Sequence, residues 1–354
     1  NLQYYVFQIS SPQIPLIVFN FNVMKSTYNH HFIRYIFFFI LTAYSFAEIP
    51  DGYYDNAFGE EGEGLQSALH NIIDNHNVQS YGSLHGHYET TDDKPDGTVW
   101  DMYSDVPGGT PPYIYNFTSS DQCGNYGGEG DCYNREHSWP KSWFNDASPM
   151  KTDLFHVYPT DGYVNGMRGN YPYGEVGNAS WTSQNGSKRG SCSFPGYSGT
   201  VFEPIDEYKG DLARTYFYMS TRYYNEDSSW DNNGMVNGAD LLPWAVNLLI
   251  SWHEADPVSL KEVDRNDAVY QIQNNRNPFI DHPEWVSCIW DGSCEQLPGD
   301  LNGDLLVDVL DIVMIVDVIL YGEFSEYQLL AGDLNVDGVL DVLDIVMLVD
   351  LILG

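Results

Sequence analysis

Two stretches of the chain hold the residue types that hydrolytic chemistry needs. Cys132 to Phe144 (CYNREHSWPKSWF) sets a carboxylate beside an imidazole, at Glu136 and His137. Thr152 to Asn170 (TDLFHVYPTDGYVNGMRGN) offers an amide and a guanidinium one helical turn apart, at Asn165 and Arg168. A carboxylate and an amide oxygen suit a hard divalent cation, an imidazole titrating near neutrality can take a proton from water, and a guanidinium can grip a phosphate through two N–H groups. Cleavage of a phosphodiester needs these parts together: a cation on the phosphate, a base, and positive charge for the crowded transition state. The reading is a metal ligand (Glu136), a base (His137), a second ligand (Asn165) and a phosphate clamp (Arg168). Arg168 takes its role from spacing alone.

Local elements have to present these groups. Tyr133 to Trp139 is expected as a strand carrying His137, ended by Pro140. Thr160, ahead of Asp161, is the expected N-cap of a helix on which Asn165 and Arg168 share a face by their i, i+3 spacing. Asp153 and His156 flank that segment and are read as structural, as is Asp131 in a Gly-rich turn. Around this centre the period predicts helices over 63–76, 211–224, 241–253 and 259–273, a strand over 99–103, and a long surface loop over 171–199. Arg276 and Asp281 are expected to pair. His85 and His87 have zinc-like spacing without further ligands and are read as surface or core.

The motifs NREHSWPKSWF and DLFHVYPTDGYVNGMRGNYPYGEV, with WDMYSD at Trp100–Asp105 and NRNPFIDHP at Asn275–Pro283, resemble the bacterial endonuclease I family. The resemblance runs from about Gly52 to Trp290. It implies an α+β catalytic domain of the ββα-metal (His-Me finger) fold and a periplasmic or extracellular nuclease of little sequence preference. It also implies one Mg2+ held by Glu136 and Asn165, with His137 as general base.

The formal charge of -35 argues at first against a nucleic-acid partner. Its distribution softens the objection, because basic residues gather between Arg135 and Arg222, and none follows Arg276. Met24 opens a segment with Lys25 and Arg34 ahead of the apolar run Tyr35 to Tyr44, so 24–47 is expected to be a secretory signal peptide and 1–23 upstream sequence. Five cysteines in an exported chain leave at least one unpaired or paired outside it. Cys123 with Cys132 and Cys288 with Cys294 are the local pairings, and spacing does not fix connectivity.

The expected domains are 48–296 and 297–354, and the second contains a repeat. Asp300 to Leu320 recurs as Asp333 to Leu353. Side-chain oxygens fall at loop positions 1, 3, 5, 9 and 12: Asp300, Asn302, Asp304, Asp308 and Asp311, then Asp333, Asn335, Asp337, Asp341 and Asp344. That spacing suits two Ca2+ ions in EF-hand-like loops. Gly338 supplies the sharp turn in the second loop, where the first has Leu305. The repeat resembles a dockerin, a small all-α duplicated module, and the resemblance implies a cohesin-type protein partner. The expected whole is a secreted endonuclease acting on DNA, and on RNA as a second substrate. The rival readings are a non-catalytic calcium-dependent scaffold component and a phosphodiesterase for small substrates.

Overall fold

The computed structural model describes residues 49–294, 297–304, 306–322 and 324–353. The expected leader and Leu305 lie outside the described residues. Apolar residues at helical spacing form α1 (Gly62–Ile73), whose Leu65, Leu69 and Ile73 face the core, and a turn leads into α2 (Leu84–Thr91). The next regular elements are β1 (Tyr133–His137), β2 (Val157–Asp161) and α3 (Gly162–Arg168), in which two antiparallel strands run directly into a helix. The register sets Glu136 opposite Tyr158 and Asn134 opposite Thr160.

The surface loop expected over 171–199 is corrected to an antiparallel sheet of β3 (Val176–Thr182), β4 (Lys188–Cys192) and β5 (Thr200–Glu203). Its composition is polar because most of β3 is exposed. The hairpin signal was Asn185-Gly186, with Gly186 at φ +107, in the turn between β3 and β4. The expected strand at 99–103 is also corrected. Only Val99 makes a bridge, to Asp93, and the chain then turns so that Asp101 accepts the Tyr103 N–H at 2.8 Å.

Helix α4 (Lys209–Arg222) is buried along its whole length, so its aromatic residues are core. Around it pack α1, α5 (Pro243–Ala255) and α7 (Pro278–Asp281), while α6 (Leu260–Gln273), opened by a Ser259–Glu262 capping box, packs on α2. Charges taken into this core come as matched pairs: Arg214 with Glu262 at 2.5 Å, Arg265 with Asp92 at 2.9 Å, and the expected Arg276 with Asp281 at 2.6 Å. After α8 (Trp285–Trp290) a second, smaller core of Leu301, Ile315, Val318, Leu340 and Leu348 joins α9 (Val309–Tyr321) to α11 (Val342–Leu353), with α10 (Glu326–Gly332) between them in sequence. Cys123–Cys132 and Cys288–Cys294 are bonded and Cys192 is free. The first bridge fixes the loop that enters β1. Among the described residues no helix is long and apolar enough to cross a membrane.

Candidate active site

An extended strand turns successive side chains to opposite faces, so β1 divides the motif. Asn134 and Glu136 share one face, and Arg135 and His137 the other. Helix α3 lies on the first face. Its N-cap is Asp161, one residue beyond the expected Thr160: the Asp161 carboxylate accepts the Val164 N–H at 2.8 Å, and its own N–H donates to Asp101 at 2.9 Å. Anchored there, α3 sets Asn165 over Asn134, with Nδ2 donating to Asn134 Oδ1 at 2.7 Å, and Arg168 over Glu136, at 3.0 Å. The i, i+3 spacing on the helix thus meets the i, i+2 spacing on the strand.

Glu136 is buried and accepts the Tyr103 hydroxyl at 3.0 Å, while Tyr103 and Tyr173 bond each other at 2.8 Å. Burial pushes its carboxyl up to about 7, against the pull of Arg168 and the two tyrosine hydroxyls. Because the Asn165 amide nitrogen is committed to Asn134, its carbonyl oxygen is left for a ligand role. A carboxylate and an amide oxygen are hard-oxygen donors of the kind Mg2+ takes, and one Glu136 oxygen, Oε1, is already met by Arg168 and Tyr103. Asn134 was not singled out in the sequence, although its place two residues before Glu136 puts it on the same strand face.

The expectation for Arg168 needs correcting. Its guanidinium is fully buried, donates to the carbonyls of His137 (2.9 Å) and Ser138, lies 3.2 Å from the Tyr216 hydroxyl, and faces the Tyr173 ring at 4.5 Å. It ties the end of β1 to α3 and neutralises Glu136, and reaches no solvent. Spacing identified its helix face correctly and could not reveal that the strand backbone fills that face.

His137 stands on the opposite face, beside His156, Phe144 and Tyr81. Its Nε2 lies 3.0 Å from the Lys151 carbonyl oxygen. A carbonyl only accepts, so Nε2 carries the proton and Nδ1 the lone pair. Nδ1 is buried with no hydrogen-bond partner. Burial, reinforced by His156, holds the imidazole well below its usual pKa. A neutral ring with one pinned nitrogen and one free lone pair is the form a general base requires. Asp153 accepts the hydroxyls of Tyr218 and Tyr223, each at 2.9 Å, and Asp131 accepts the N–H groups of Gly127 and Gly128, as structural roles demand.

The two acidic loops form a separate candidate set. Asp311 accepts the N–H groups of Leu301 and Asn302 on one oxygen and Asp308 on the other; Asp344 repeats this with Leu334, Asn335 and Asp341. Both carboxylates are fully buried in a segment with no Lys or Arg, the setting of a cation site. Asp300 and Asp333 accept from residues three to five positions on, and Asn302, Asp304, Asn335 and Asp337 complete the turns. Asp308 and Asp341 each accept an N–H at the start of the helix that follows. Gly338 has φ +85, as its turn position requires. Elsewhere His70, Asp74 and Glu226 bring ligand atoms within 4.8 Å of one another, but Arg222 already pairs with both carboxylates, at 2.8 and 3.1 Å.

Comparison with known proteins separates the chain in the same way. Residues 61–284 match the family described as Endonuclease I, and residues 298–353 the dockerin type I domain. The chain is 37% identical over 244 residues to a protein of Bacillus amyloliquefaciens named "Extracellular ribonuclease", covering 67% of this chain and 78% of that one. A Bacillus subtilis protein of the same name is 35% identical over 246 residues, 68% of this chain and 78% of its own length. An "Extracellular deoxyribonuclease" of Aeromonas hydrophila is 26% identical over 162 residues, 45% of this chain and 58% of its own length.

Proposed function

Because this chain belongs to the endonuclease I family, we propose that it is an exported endonuclease of the ββα-metal fold, hydrolysing phosphodiester bonds in RNA and DNA with little sequence preference. The observation that carries the reading is His137: its Nε2 is pinned to the Lys151 carbonyl and its Nδ1 lone pair is free. RNA stands beside DNA because the relatives at 37% and 35% identity are named ribonucleases and one at 26% a deoxyribonuclease.

In this proposal Glu136 and Asn165 hold one Mg2+, which supplies Lewis-acid stabilisation of the charge that builds on the phosphate. His137 Nδ1 takes the proton of the attacking water. Lys151, through its carbonyl, keeps the imidazole in the right tautomer, and Arg168 holds Glu136 and the end of β1 in place. Little sequence preference is what contact through phosphates gives, because phosphates carry no base information. In the C-terminal repeat, Asp300, Asn302, Asp304, Asp308 and Asp311 hold one Ca2+ and Asp333, Asn335, Asp337, Asp341 and Asp344 a second. The module they fold fastens the enzyme to a cohesin-type partner outside the cytoplasm.

The test is degradation of plasmid DNA and of RNA by the purified full chain in Mg2+ and in EDTA, beside His137→Ala. Metal-dependent cleavage of both substrates, lost in the variant, is expected. Intact nucleic acid in every lane, from protein shown to be folded, removes the proposal.

A further inference from the structure

Unspent positive charge is scarce in a chain of formal charge -35. Arg168, Arg214, Arg265 and Arg276 are buried against carboxylates. Arg135, Lys141 and Lys151 are partly exposed instead, and all three converge on one ring, Tyr81, in the turn before α2. The Arg135 guanidinium carbon lies 4.1 Å from the ring centroid, Lys151 Nζ 5.3 Å and Lys141 Nζ 5.9 Å. Asp146 is the carboxylate that faces them, 2.5 Å from Lys151 and 3.8 Å from Lys141. Among the described residues no carboxylate pairs with Arg135, and its Nε is buried without a hydrogen-bond partner.

The cluster adjoins the base. Arg135 precedes His137 by two residues on β1 and so shares its face. The Tyr81 ring lies nearly parallel to the His137 imidazole, 23° between planes and 6.3 Å between centroids. Lys151 supplies the carbonyl that pins His137 and the ammonium that joins the cluster. Three cations against one carboxylate leave an excess of positive charge beside a buried catalytic group. A purely structural network would match its charges, as the buried arginines of this chain do.

We propose that Arg135, Lys141 and Lys151 are a phosphate-binding subsite that seats the nucleic-acid backbone next to His137. Tyr81 is a positioning residue that holds the Arg135 guanidinium in place. Asp146 occupies the two lysines in the free protein and yields them to a phosphate diester. The inference deepens the nuclease reading and rests on nucleic acid as substrate.

The experiment reads binding without turnover. Full-length His137→Ala protein is titrated with a fluorescein-labelled single-stranded RNA between 50 and 200 mM salt, in EDTA. Adding Arg135→Gln and Lys151→Gln is expected to lower the slope of log K against log salt by about 1.4, because each phosphate contact on a single strand contributes about 0.7. Lys188→Gln, on β4 and paired with Glu203, serves as the control outside the Tyr81 cluster and is expected to leave the slope alone. Asp146→Asn is expected to tighten binding, the opposite of what loss of a structural ion pair does. Circular dichroism and Trp fluorescence matching the parent keep a folding defect from passing as a result. An unchanged slope in the double variant, an equal fall in Lys188→Gln, or no gain from Asp146→Asn overturns the subsite. Cleavage by the wild type with an unchanged slope sinks the subsite alone. Binding that follows the expected slopes without any cleavage keeps the subsite and sinks the hydrolytic reading.

Discussion

Arg168→Met separates a buried strut from a surface clamp by its effect on stability. The Arg168 and Glu136 side chains are 0% and 2% exposed and lie 3.0 Å apart. Removing the guanidinium leaves a carboxylate, already raised to about 7 by burial, without its cation, and frees the carbonyls of His137 and Ser138. Breaking one side of a buried pair costs about 3–5 kcal/mol, whereas an exposed clamp would change folding by no more than about 0.5 kcal/mol. Glu136→Gln removes the charge that needs Arg168, so the double variant is expected to recover about 1.4 kcal/mol as coupling energy, one pH unit separating the assay from a carboxyl at about 7. The assay is urea unfolding followed by Trp fluorescence at pH 8 in EDTA, where Glu136 is ionised in the parent. All nine tryptophans lie between Trp100 and Trp290, so the signal reports the catalytic part alone. A cost below about 1 kcal/mol for Arg168→Met, or single effects that add within about 0.5 kcal/mol, refutes the argument.

Other consequences follow from buried groups and cross-links. His156 is fully buried and burial lowers its pKa from 6.5 to about 4, so the unfolded chain binds the extra proton first. Stability is expected to fall as pH drops from 6.5 and to have lost about 3 kcal/mol on this account by pH 4. His156→Gln flattens that part of the pH profile in the same fluorescence assay, and a parallel fall in variant and parent contradicts it. Cys123→Ala with Cys132→Ala opens a loop with a sequence separation of 9 and is expected to cost about 2.5 kcal/mol in urea, with no effect pointing to a constraint already present in the unfolded chain. EDTA is expected to remove helical circular dichroism from residues 309–353 while the Trp transition moves by less than about 1 kcal/mol, because the smaller core has its own apolar residues. Loss of both signals together argues against two separate cores.

The periodic helices were legible because their apolar spacing is set by the core they face: α1, α4, α5 and α6 appear within a few residues of their expected bounds. Val99–Tyr103 misled because its β-prone residues are buried in a turn that anchors α3, where Asp101 takes the Asp161 N–H. The sheet of β3 to β5 was hidden by composition. Strands that lie on the surface need no apolar alternation, and only the Asn185-Gly186 turn betrayed the hairpin.

Residue types and short spacings alone determined the candidate chemistry of this protein: an acid beside an imidazole, an amide and a guanidinium on one helix face, and two loops of oxygen ligands at calcium spacing. Those relations are local, and a strand or helix repeats them wherever it forms. Tertiary structure alone decided which face each group meets. It sent Glu136 to Asn134, Asn165 and Arg168, turned His137 toward Lys151, and spent the Arg168 guanidinium on the backbone of β1. It also gathered Arg135, Lys141 and Lys151 around Tyr81, which stands more than fifty residues before any of them. Burial, tautomer and charge balance depend on contacts between segments distant in the chain, and no spacing within one segment encodes them.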